Sequence, residues 1–379
     1  MCGRVAAVSE DLQRLLDRQV ANGAAPGIVA VIGTGEEAEV ITAGVASVGG
    51  PSMPADAIMR IQSMTKVITA VATLRLIESG DLSLDQPVEE WLPELAHRRV
   101  LVSPAAALAD TVPAGHPITV RHLLTNTSGY GMVLADSPLQ KAMAANGTEA
   151  GPEPVALGAG EWLRRLGELP LAFQPGEGWR YHHSFAVLGI LIARVAGRPL
   201  EDHLASEIFR PLGMIDTGLW VPSAKAGRLP AAYRHEPDGL VEVQPAAGGF
   251  YAGPPPFDID HGELVSTAQD FYRFARALAG GTQLVSAEHR LLLSSDQVPE
   301  RCKSPDSFFP GFWEGTGWGF GVGVQVDGRH RGRYGWSGGL GTNFFVDPDG
   351  TIGVLLTQVE AGSRLAPLIG EFQELSSPW

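Results

Sequence analysis

A serine and a lysine stand three residues apart in the run Ser63-Met64-Thr65-Lys66, and on a helix that spacing puts both side chains on one face. A serine hydroxyl is a poor nucleophile until a base takes its proton, and the first turn of a helix offers backbone N–H groups to developing negative charge. Lysine suits the base because desolvation lowers its pKa, whereas arginine keeps its charge. The chain uses lysine sparingly: among 28 lysines and arginines only Lys66, Lys141, Lys225 and Lys303 are lysine, and one of the four falls inside an apolar helical pattern. The same residues also fit a plainer account, with Ser63 capping a helix and Lys66 snorkelling to the surface.

The elements that must hold this pair are legible in the apolar spacing. Met64, Val67, Ile68, Val71, Leu74 and Ile77 recur at helical intervals over residues 63–79, and Gly80 is a natural stop. Upstream, Leu12, Leu15, Leu16 and Val20 predict a helix over 10–22, and residues 27–48 read as two strands around a turn at 33–37. The middle of the chain mixes helical stretches (121–124, 161–166, 185–196 and 200–209) with loops rich in proline and glycine, a mostly helical insertion. A glycine- and proline-rich passage at 246–256 precedes another helix over 268–278. From Gly317 onward strands dominate, at 319–326, 333–336, 342–346 and 352–357. The expected architecture is an antiparallel sheet made from both chain ends and flanked by helices, with a helical lobe inserted between them.

Composition narrows the function classes. With 379 residues, 44% of them hydrophobic, the chain can bury a large core. Its longest apolar runs, 67–74 and 186–193, fall short of the roughly 20 residues that span a bilayer, and Glu10, Asp11, Arg14, Asp17 and Arg18 interrupt the stretch where a secretory signal would be apolar. No membrane partner is expected. Two cysteines, Cys2 and Cys302, make neither a disulfide framework nor a metal-ligand spacing, which suits a cytoplasmic protein. A net charge of −14 with scattered basic residues argues against nucleic acid.

Four more runs accompany Ile61-Gln62-Ser63-Met64-Thr65-Lys66-Val67-Ile68-Thr69-Ala70. They are Ile118-Thr119-Val120-Arg121-His122-Leu123-Leu124-Thr125-Asn126-Thr127-Ser128-Gly129, Pro175-Gly176-Glu177-Gly178-Trp179-Arg180-Tyr181, Leu264-Val265-Ser266-Thr267-Ala268-Gln269-Asp270 and Gly335-Trp336-Ser337-Gly338-Gly339-Leu340-Gly341-Thr342. In this order and spacing the five resemble landmarks of the serine β-lactamase-like superfamily, over nearly the whole chain from about Glu10 to Thr357. Within it the chain is similar to the class C β-lactamase-like branch and, inside that branch, to the family VIII carboxylesterases. The resemblance implies an α/β (α+β type) β-lactamase/transpeptidase-like fold: one catalytic domain over 1–379, with an α/β lobe at about 1–86 and 235–379 and a helical lobe at about 87–234.

It also implies roles. Ser63 would be the acylated nucleophile, Lys66 its partner, and Tyr181 the group that shuttles a proton as phenolate or through Lys66. A tyrosine is a poor base unless positive charge lies beside it, and a Lys66–Tyr181 pair would titrate as a coupled unit. Trp336, Ser337 and Gly338 would wall the pocket, and the N–H groups of Ser63 and Gly339 would form the oxyanion hole. A glycine-rich hairpin turn is the plainer account of Gly338-Gly339.

Two departures separate the chain from the class C β-lactamases: Tyr181-His182-His183 stands for their Tyr-x-Asn, and Trp336-Ser337-Gly338 for their Lys-Thr-Gly. Trp336 in place of a lysine deletes the anion anchor and adds an apolar wall, a change the esterase branch shares and one that suits a neutral ester. Adjacent His182 and His183 point in different directions on a helix or a strand, which argues against a metal site. His183 is expected to line the pocket and the pair to tune Tyr181 around neutral pH. Tyr130, Phe250, Tyr251, Phe312 and Trp318 are candidates for the acyl pocket, or for packing around it. The expected function is hydrolysis of small carboxylic esters through an acyl-enzyme, with no cofactor. The alternatives are acyl transfer to a small acceptor, as in the acyltransferases of statin biosynthesis, an amidase or D-aminopeptidase, weak β-lactamase activity, and a non-catalytic ligand-binding protein.

Overall fold

The computed structural model describes residues 2–151, 153–281 and 283–375. Its centre is a seven-stranded antiparallel sheet: β1 (Gly27–Thr34), β2 (Glu37–Gly44), β3 (Thr316–Trp318), β4 (Gly323–Gln325), β5 (Tyr334–Gly338), β6 (Thr342–Val346) and β7 (Thr351–Leu356), in the spatial order β2-β1-β7-β6-β5-β4-β3. β1 lies between its hairpin partner and the last strand, with Val29 opposite both Thr42 and Leu356.

β1 is apolar on both faces because helices cover both. Ile28, Ala30 and Ile32 pack with Leu12, Leu15 and Leu16 of α1 (Cys2–Ala21) and with Leu368 and Phe372, which belong to the C-terminal helix over Ala366–Leu375. Val29 and Val31 face α2 (Thr65–Glu78) and Ala268–Arg276 instead. Eleven of the fourteen residues of α2 are buried, the mark of a central helix rather than a surface one. The hydroxyls of Thr69 and Thr73 are satisfied by donating to the carbonyls of Thr65 and Thr69, at 3.2 and 2.9 Å. Gly80, at φ +85, ends the element. His183–Ala196 packs against α2 from the middle of the chain.

The expected strand over 319–326 is two strands, β3 and β4, folded back through residues 319–322. The Gly319 N–H donates to the Val322 carbonyl at 2.9 Å, and Gly321 takes φ +81. A side chain at Gly321 would put its Cβ 2.8 Å from the Lys66 carbonyl oxygen, so this turn presses on the first turn of α2. The middle of the chain also holds elements that its spacing did not announce: a two-stranded ribbon (Arg99–Leu101 with Thr111–Pro113), a helix over Pro138–Asn146 capped by Ser137, and a hairpin (Ala232–Glu236 with Gly239–Gln244). Among the described residues no single helix is long and apolar enough to cross a membrane. Cys302 is buried with a free thiol, while the side chain of Cys2 lies outside the described residues.

Candidate active site

Ser63 sits where three pieces of chain converge. Met59–Arg60 pairs with Val265–Ser266, the Ile61 N–H donates to the Leu264 carbonyl at 3.0 Å, and a 3-10 turn over Gln62–Met64 then leads into α2. Gln62 is buried at φ +51, a left-handed conformation that costs a non-glycine residue about 1 kcal/mol or more. The surroundings hold it there: the Thr342 hydroxyl donates to the Ile61 carbonyl at 3.0 Å, and a Cβ on Gly338 would lie 2.5 Å from that same oxygen. The sharp bend presents Ser63 at the entry to a buried helix.

Lys66, 3% exposed, brings its Nζ 2.9 Å from Ser63 Oγ, 3.2 Å from Glu263 Oε1 and 5.0 Å from the centre of the Tyr181 ring. Burial works against the ammonium, but the negative charge of Tyr181 and then of Glu263 outweighs it, so Lys66 titrates above its ordinary value. Lys66 thus joins the serine hydroxyl to Glu263 and Tyr181.

Tyr181 accepts a hydrogen bond from the indole N–H of Trp336 at 2.6 Å. Its ring is clamped by Phe308 at 4.9 Å, Trp336 at 5.3 Å and Trp318 at 5.9 Å between centroids. The next residue, His182, has φ +98 and ψ −74, strain that turns the chain from the tyrosine into the helix at His183. Trp336 is thus more than the apolar wall expected of it, since its polar edge takes part in the site. Ser337 is exposed and accepts from Asn343 Nδ2 at 2.9 Å. Gly339 is exposed beside Gln62, whose Oε1 a Cβ there would meet at 3.5 Å. The Ser63 turn and the end of β5 therefore lie side by side.

Glu263 is the site residue that sequence reasoning missed. Its Oε1 lies 3.2 Å from Lys66 Nζ, 3.5 Å from Ser63 Oγ and 3.9 Å from His182 Nε2. The available signal was its position directly before the Leu264–Asp270 run, with an acid where the chain next turns toward Ser63.

A narrow cavity of about 60 Å³ opens beside this cluster, room for water and a slim acyl chain rather than for a bulky ligand. Gln62, His182 and Glu263 form its inner end, and Trp162, Phe250 and Tyr251 line it farther out. Of the other aromatic candidates, Phe312 stacks on Trp179 at 5.3 Å and Trp318 meets it edge-on at 5.5 Å. Tyr130 does not line the cavity either; it is buried in the core, with Arg98 as its charged neighbour. His183 does line it, stacked on Trp162 with Nε2 2.7 Å from the Thr148 carbonyl. Burial holds His183 down at about 4, against a smaller upward pull from the Thr148 hydrogen bond. Burial and then the Lys66 charge hold His182 well below its ordinary value. Both shifts run downward, away from the neutral range in which the pair was expected to tune Tyr181.

A chemically balanced set results: a serine hydroxyl, an ammonium donating to it, a tyrosine oxygen held by an indole N–H, a carboxylate, and an apolar cavity adjoining them. The family model described as beta-lactamase matches residues 12–366. An uncharacterized protein of Mycobacterium tuberculosis is 33% identical over 79% of this chain and 76% of its own length. Esterase EstB of Burkholderia gladioli is 31% identical over 81% of this chain and 78% of its own. Among solved structures, EstCE1, described as a hydrolase with promiscuous acyltransferase activity, superposes with a TM-score of 0.79 at 24% identity, covering 97% of this chain and 98% of that one.

Proposed function

The chain belongs to the beta-lactamase family, and from that premise we propose that it is a serine hydrolase of small carboxylic esters working through an acyl-enzyme on Ser63. The observation that carries this reading is the 2.9 Å contact between Lys66 Nζ and Ser63 Oγ inside a buried helix, a position that leaves the ammonium few partners other than the reacting groups. Esterase EstB at 31% identity supports the ester class.

In this mechanism the serine proton passes to Tyr181, as phenolate or through Lys66, with the Trp336 N–H holding the tyrosine oxygen in place. Ser63 Oγ bonds to the ester carbonyl carbon, and the resulting oxyanion is met by the N–H groups of Ser63 and Gly339. Tyr181 returns its proton to the leaving alcohol, and water then clears the acyl group. A β-lactam carboxylate would find a tryptophan in place of a cation at Trp336, and Glu263, Glu153 and Glu149 along the cavity, which supports neutral esters as the substrate class. Acyl transfer to an alcohol is the second reading, supported by the exposure of Ser337 and Gly339, which leaves the end of β5 open to a second substrate.

Mass spectrometry after brief exposure to a fluorophosphonate or to p-nitrophenyl butyrate tests the proposal. Wild type should gain one adduct on Ser63 and release nitrophenolate repeatedly, and Ser63→Ala should do neither. Folded wild type that is neither labelled nor active refutes it.

A further inference from the structure

The second half of such a reaction needs a base for water, and Lys66 already commits its Nζ to Ser63 Oγ at 2.9 Å and Glu263 Oε1 at 3.2 Å. We propose that Glu263 is that base: its carboxylate takes a proton from the water that attacks the Ser63 acyl ester, which makes this chain discharge its acyl group to water. This inference rests on the acyl-enzyme reading above and adds to it the group that decides between hydrolysis and transfer.

Three observations carry it. Glu263 is within 3.5 Å of Ser63 Oγ, so a water between it and an acyl carbon on that oxygen lies within one hydrogen bond of the carboxylate. The cavity reaches Glu263, Gln62 and His182 but not Ser63, Lys66 or Tyr181, so a water that travels along it toward an acyl group on Ser63 passes Glu263 first. The carboxylate is also fixed in place. The next residue, Leu264, accepts from the Ile61 N–H at 3.0 Å and donates to Thr65 Oγ1 at 2.8 Å, tying Glu263 to both ends of the nucleophile turn.

The proton ledger closes on these contacts. Water loses a proton to Glu263 as its oxygen bonds to the acyl carbon. The tetrahedral intermediate then breaks its bond to Ser63 Oγ, which takes a proton from Lys66 at 2.9 Å. Glu263 returns its proton to Lys66 at 3.2 Å, and the resting state is restored. The Lys66 and Ser63 contacts both use Oε1, leaving Oε2 for water. Acylation needs none of these transfers through Glu263, so the two halves of the reaction separate in a variant.

The test compares wild type with Glu263→Gln, which keeps the side chain's shape, using p-nitrophenyl acetate under burst conditions and a fluorophosphonate as a probe of the nucleophile. Glu263→Gln should label with fluorophosphonate at close to the wild-type rate and release about one equivalent of nitrophenolate per enzyme. Its steady turnover should then fall on the order of a hundredfold, with the acetyl adduct persisting on Ser63. Hydroxylamine, a nucleophile that needs no base, should discharge that adduct. If Glu263→Gln labels normally and turns over like wild type, or loses the burst and the adduct together, the role of Glu263 is overturned while Ser63 stands. If wild type itself is not labelled, the nucleophile reading falls, and this proposal falls with it.

Discussion

Replacing Trp336 with phenylalanine removes one atom of consequence. The six-membered ring that remains still packs against Tyr181 and Trp318, which now lie 5.3 and 4.7 Å from the indole, so the stability cost should stay within about 1.5 kcal/mol. What is lost is the N–H donated to the tyrosine oxygen at 2.6 Å. A hydrogen bond to a group carrying charge in the reactive state contributes roughly 1.5–3 kcal/mol, and at about 1.4 kcal/mol per decade that predicts a fall in kcat/KM of between about tenfold and a hundredfold or somewhat more. The assay is hydrolysis of p-nitrophenyl butyrate by Trp336→Phe, with Tm measured alongside and Trp336→Ala as the variant that also loses packing. A Trp336→Phe enzyme within threefold of wild type and equally stable would refute the claim that the indole N–H supports Tyr181, and would return Trp336 to the role of an apolar wall.

Two further outcomes follow from the charges around the cavity. Burial holds His183 and His261 at about 4 in the folded protein, against 6.5 when free. Between those values the unfolded chain binds more protons, so stability is constant above pH 6.5 and falls as pH drops toward 4, by on the order of 3 kcal/mol for each imidazole; Tm measured from pH 8 to 4 should show this, with a shallower acid slope in His183→Gln. A p-nitrophenyl half-ester of glutaric acid should be cleaved on the order of tenfold less efficiently than the butyrate ester, because its carboxylate meets Glu263, Glu153 and Glu149, and added salt should narrow the gap. Equal kcat/KM values at low salt would contradict that account.

The sequence carried what repeats locally. The apolar spacing of 63–79 gave the central helix to within two residues, the alternation and turns at 27–48 gave the first hairpin, and the five runs gave Ser63, Lys66, Tyr181 and the stretch from Trp336 to Gly339, which the fold brings together. The rest depends on contacts between distant parts of the chain. Glu263 reaches Ser63 only through the two-residue pairing of Met59–Arg60 with Val265–Ser266, too short to leave a periodic signal. The Trp336 indole finds Tyr181 across two elements, and its residue type alone reads as apolar. The upward shift of Lys66 and the downward shift of His183 follow from burial and neighbours, which spacing does not specify. The break between β3 and β4 was obscured by glycines that suit a strand interior poorly yet sit among strand formers.

The place of β1 between β2 and β7 also bears on how the molecule is made. Its outer edge pairs at once with β2, but its inner edge waits for Leu356 and its neighbours, nearly the whole chain later. While the ribosome is still at work the hairpin holds open a row of unpaired backbone groups on an apolar strand, the kind of edge that invites pairing with other chains. Contacts this distant slow folding, and the Ser63 turn and the helix it leads into are synthesised long before β5 arrives to brace them. Catalytic competence is therefore a late event in biogenesis: a nascent chain that stops short of β5 carries the nucleophile but not the strand that completes its surroundings.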